Sequence, residues 1–108
     1  LAPAAEPSAL AAAERVQAVL GRASPVTVVL DSFDAMYWHF RYLQGAEAWQ
    51  TDGPLIERYA PPLGPGVAER FAFSRGVTAA QVAEATAFRT RFTAYLEALL
   101  GTDGVLLL

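Results

Sequence analysis

The chain has 108 residues, a formal charge of −3, and 54% hydrophobic residues with 18% charged. That apolar content excludes a disordered tail. The acidic balance is the wrong sign for a phosphate backbone, so no nucleic-acid partner is expected, and with no cysteine a disulfide framework, a thiolate nucleophile and a Cys-based zinc site are excluded.

Further absences narrow the chemistry. All eight basic residues are arginine, and His39 is the only histidine. A lysine base, a Schiff base and a two-histidine metal site are therefore unavailable within this chain. No basic segment precedes an apolar run in the manner of a signal peptide. No apolar stretch is long enough to span a bilayer. Cysteine-free composition fits the cytoplasm, and no membrane partner is expected. The apolar run at 104–108 reads as a buried strand that stops mid-pattern, which suggests a piece of a larger protein.

Residues 1–6 are rich in Ala and Pro and read as a loop or the tail of a strand. Pro7 suits the first turn of a helix that runs to about Leu20 and stops at Gly21. Its apolar line is Leu10, Ala13, Val16 or Gln17, and Leu20, with Glu14 and Arg15 opposite. Residues 26–30 (Val-Thr-Val-Val-Leu) are β-branched and almost wholly apolar, a pattern that predicts a strand covered on both faces. Asp31 and Ser32 then offer caps for a helix over 33–50.

That second helix carries apolar side chains on more than one face. Phe33, Met36 or Tyr37, Phe40 and Leu43 lie on one side, and Trp38, Tyr42 and Trp49 on the other. Such a helix is buried in something larger or lines a cavity. It should end before Gly53-Pro54, with 55–59 adding one short helical turn. Pro61-Pro62-Leu63-Gly64-Pro65-Gly66 is a breaker cluster. A short helix over 67–74 follows, ended by Gly76. Thr78-Ala79-Ala80-Gln81 is a capping box for a long helix over 78–100, closed by Gly101. Val82, Ala85, Phe88 or Arg89, Phe92, Tyr95 or Leu96, and Leu99 recur at steps of three and four. Residues 104–108 form the predicted terminal strand.

Several of these stretches resemble the C-terminal third of the amidase signature family. They are Leu43-Gln44-Gly45-Ala46-Glu47-Ala48-Trp49, Gly64-Pro65-Gly66-Val67, the capped helix after Thr78, and Asp103-Gly104-Val105-Leu106-Leu107-Leu108. The resemblance covers roughly residues 26–108. No single stretch is specific; their order and spacing make the match. It implies an α/β class: a helix-rich segment of about four helices and two short strands, taken from an α/β/α fold with a central mixed sheet. The whole of 1–108 is then one segment of a single amidase domain. It also implies amide hydrolysis through an acyl-enzyme in the intact protein. The family's nucleophilic serine, second serine and lysine have no counterpart here, because Ser8, Ser24, Ser32 and Ser74 are isolated and lysine is absent. No catalytic residue, metal or cofactor is carried over. The implied partners are a small-molecule amide substrate and the remainder of the amidase domain; the oligomeric state stays open, a homo-oligomer included.

Candidate substrate-binding residues are Tyr37, Phe40, Glu47 and Trp49. The aromatic ones suit the wall of an acyl or aryl pocket. Glu47, set among apolar neighbours, must find a polar contact in or near that cavity or a buried partner that fixes the helix. Tyr37 and Tyr42, five positions apart and about 500° of helical rotation, cannot enter one pocket together. Ser32 and Asp34 lie near His39 in sequence, yet that spacing does not assemble a triad. Gly64-Pro65-Gly66 lacks the lysine of a phosphate loop and reads as a turn. No stripe of arginines is evident among Arg41, Arg58, Arg70 and Arg75. The alternative to an amidase segment is a free-standing, non-catalytic helical module that binds a ligand or protein through the aromatic helix.

Overall fold

The computed structural model describes residues 7–21 and 28–106. Four helices account for its regular structure: α1 (Pro7–Leu20), α2 (Phe33–Tyr59), α3 (Val67–Gly76) and α4 (Ala79–Leu100). There is no strand among the described residues, so the α/β class and its two strands are corrected to an all-helical arrangement. Residues 26 and 27 of the first expected strand, and 107 and 108 of the second, lie outside the described residues.

The physical reason for the correction is local at both places. An apolar β-branched run becomes a strand only when a neighbour completes its ladder. Val28, Val29 and Leu30 are half-buried and pair with no other extended segment among the described residues. Asp31 follows at φ 63°, a left-handed turn that redirects the chain. Ser32 then caps α2, its hydroxyl accepting from the Ala35 N–H at 3.0 Å. At the other end, the Gly104 N–H donates to the Leu100 carbonyl at 2.8 Å, folding the chain back on the helix terminus. A Cβ on Gly104 would collide with that carbonyl, so only glycine fits. Val105 beyond it is 76% exposed.

α2 is the spine. Its 27 residues make a rod of about 40 Å, and α3 and α4 pack against it on different sides. It does not stop before Gly53-Pro54 as the breaker reading predicts; it continues through both, absorbing 55–59. Proline disfavours helix in the residue before it partly by clashing with that residue's Cβ. Gly53 has none, and the Trp49 indole fills the vacated space, 2.8 Å from where a Cβ would stand. α2 ends at Ala60, in the left-handed region at φ 42°.

Two contacts hold the layers. Gly45 is buried at the α2–α3 crossing, where a Cβ would meet Phe73 at 3.1 Å and Val77 at 3.3 Å. On the other side, Ala85 and Phe88 of α4 are 0% and 4% exposed, and Phe88 stacks on the His39 ring at 4.4 Å. α4 starts at a formed capping box: the Gln81 N–H donates to Thr78 Oγ1 at 3.2 Å, and the Thr78 N–H donates to Gln81 Oε1 at 2.9 Å. Thr78→Ala should cost about 1 kcal/mol of stability, measured by chemical unfolding, because one amide at the helix start loses its acceptor.

α1 packs on no other described helix. Leu10, Val16, Val19 and Leu20 on it are 43–86% exposed. The chain's accessible surface is 8445 Å², about 2,600 Å² more than the roughly 5,800 Å² expected of a compact globule of this mass. Its radius of gyration is 18.5 Å, against about 13 Å for a compact domain of this length.

Candidate functional site

Two grooves flank α2. The first lies between α2 and α4 and is almost entirely apolar, lined by Met36, Phe40, Leu43, Phe88 and Phe92 with His39 in its wall. His39 Nδ1 is buried and has no hydrogen-bond partner among the described residues. The helical repeat puts Met36, His39, Phe40 and Leu43 on one side of α2, and the Ala85–Phe88–Phe92 steps on α4 meet them.

The second groove lies between α2 and α3. Arg41, Gln44, Gly45 and Ala48 of α2 face Arg70, Phe71, Phe73 and Ser74 of α3. Arg41 is half-buried, and its guanidinium lies 4.7 Å from the Phe73 ring centre and 5.9 Å from that of Tyr37. Such stacking holds the planar group in place without neutralising it. Among the described residues the ion pairs are Arg75 with Glu57 at 3.2 Å and Arg91 with Asp31 at 3.6 Å. Neither Arg41 nor Arg70 has a carboxylate partner there. Both ion pairs are more than half exposed and contribute little stability.

The four residues singled out as substrate-binding are not brought together. Tyr37 is 51% exposed and meets Trp38 edge-on at 5.4 Å. Phe40 is 57% exposed at the lip of the α2–α4 groove. Trp49 is half-buried, packed on Gly53 with the Arg75 guanidinium 5.6 Å from its ring. Glu47 is exposed rather than set among apolar groups. Its carbonyl accepts from Thr51 Oγ1 at 3.0 Å, and its carboxylate needs no buried partner. Trp38 and Tyr42 instead form one aromatic cluster with Phe73, at 6.3 and 6.2 Å.

What sequence reasoning missed is the meeting of Arg41 and Arg70. They are 29 positions apart, and only the Gly45 crossing brings them to one cleft. The small residue at 45, on the same helix side as Arg41 and Ala48, is the signal that marks where a neighbour approaches closely.

Among the described residues no three His, Asp or Glu side chains are grouped to hold a metal ion, and no described helix is long and apolar enough to cross a membrane. Comparison with protein-family models, curated proteins and solved structures gives no match.

Proposed function

We propose that this chain is a substrate-side segment of an amidase-signature hydrolase acting on a non-peptide carboxylic amide, contributing scaffold and cavity wall but no catalytic group. The observation that carries the proposal is the set of large apolar side chains, Leu10, Val19, Phe33, Tyr37, Phe40, Leu55 and Tyr59, exposed along α1 and α2. Large apolar side chains left open together mark a surface that further protein covers, as when helices cover the rest of a larger fold. The ordered resemblance of 43–49, 64–67 and the capped helix is what gives the proposal its family. A cytoplasmic location goes with this proposal.

In the proposed reaction, a serine outside this chain adds to the amide carbonyl, and the amine leaves with a proton. Water then cleaves the ester and releases the acid. Tyr37 and Phe40 are the two candidates that present free ring surface to such a cavity. Trp49 is committed to the α2–α3 packing.

The test uses the intact protein that contains this chain. It should release amine from simple amides with a burst of acyl-enzyme, blocked by a serine-directed inhibitor. Residues 1–108 alone should release none. Intact protein that hydrolyses no amide across aliphatic and aryl substrates would overturn the proposal and favour the non-catalytic binding module.

A further inference from the structure

We propose that the cleft between α2 and α3 binds a small aromatic carboxylate, with the charge held between Arg41 and Arg70 and the ring on the apolar floor. The inference stands on this cleft alone and does not depend on amide hydrolysis.

Three observations carry it. First, two arginines line one cleft in a chain of net charge −3, and neither has a carboxylate partner among the described residues. Arg41 is half-buried, and its guanidinium lies over aromatic rings without an anion beside it. Second, that guanidinium is held on the Phe73 and Tyr37 rings, which leaves its N–H edge free for the two-point pairing a carboxylate accepts. Gln44 adds a carboxamide at the same rim. Ser74 adds nothing to the ligand, because its hydroxyl already donates to the Arg70 carbonyl at 2.9 Å. Third, the rest of the lining is mostly apolar: Gly45 and Ala48 on one helix, Phe71 and Phe73 on the other.

Size selects the class. The cleft holds about 240 Å³, below the roughly 300–1,000 Å³ of sites for drug-sized ligands. One ring with one acid group fits within that volume. An apolar floor beneath a bare phosphate would be left wet, so the floor argues for a ligand with a hydrophobic body.

The experiment is a titration of the intact protein with benzoate, followed by calorimetry and by saturation transfer to the benzoate protons. Saturable binding is expected, with transfer strongest to the ring. Arg41→Gln and Arg70→Gln should each weaken it at least tenfold, and Arg89→Gln, at the other groove, should leave it unchanged. Arg70 is exposed, so Arg70→Gln keeps the test valid even if Arg41→Gln lowers stability. Benzyl alcohol should bind at least tenfold more weakly than benzoate. Equal binding of benzyl alcohol, retention of benzoate binding in Arg70→Gln, or inorganic phosphate competing as well as benzoate would each overturn the proposal. No activity is read, so its failure and the failure of the amidase reading are separate results.

Discussion

Replacing Phe88 with alanine should lower the unfolding free energy of the intact protein by about 3–5 kcal/mol, the range for an aromatic core side chain removed from a site that cannot collapse. Phe88 is 4% exposed, and with Ala85 it is the whole of the fully covered apolar core among the described residues. Its ring stacks on His39 at 4.4 Å and meets Phe92 at 6.3 Å. Both neighbours are anchored on the facing helices, so the loss falls on the α2–α4 contact. Phe92→Ala, at a half-buried position on the same face, should cost distinctly less. Urea unfolding of the two variants measures the difference. A Phe88→Ala cost below about 1 kcal/mol would mean that this contact does not hold α4 to α2.

Gly53→Ala is the second large effect, because one methyl group meets two obstacles. It would stand 2.8 Å from the Trp49 indole, and it would restore the clash with Pro54 that glycine avoids. Overpacking of this kind costs about 1–3 kcal/mol. The indole must move, so a change in tryptophan fluorescence should accompany the loss of stability. Gly76→Ala is the matching control: nothing lies within 4 Å of its Cβ direction and its φ is not positive. It should be neutral or stabilise by up to about 1 kcal/mol. A neutral Gly53→Ala with unchanged fluorescence would contradict the account of why α2 runs through Gly-Pro.

Signals confined to a few consecutive residues were readable in the sequence. Pro7, the Ser32 cap, the Thr78–Gln81 capping box and Gly101 each act through bonds within a turn, so spacing alone reveals them. The strands failed for the opposite reason. A run such as 26–30 states a preference, and only a neighbouring strand turns preference into a ladder. Gly53-Pro54 carries two helix-breaking residues in sequence, yet the pair sits inside α2, where the residue before the proline has no Cβ to clash with its ring. At the site, the aromatic richness of α2 was plain, but which ring faces α3, α4 or solvent depends on partners that arrive from 30 to 50 positions away. Glu47 shows this most simply: apolar neighbours in sequence left it on the exposed side of the helix. Arg41 and Arg70 show the converse, since no local pattern joins them.

The central claim is that these helices leave apolar surface uncovered that more protein completes. Unfolding of residues 1–108 on their own tests it most directly, followed in urea by far-ultraviolet circular dichroism and by binding of a hydrophobic dye. The account predicts helical signal with a broad, shallow transition and strong dye binding at zero denaturant, because little of the surface that drives cooperativity is buried. A monomer that melts in one sharp transition, with the slope expected for a 108-residue domain and no dye binding, would contradict it.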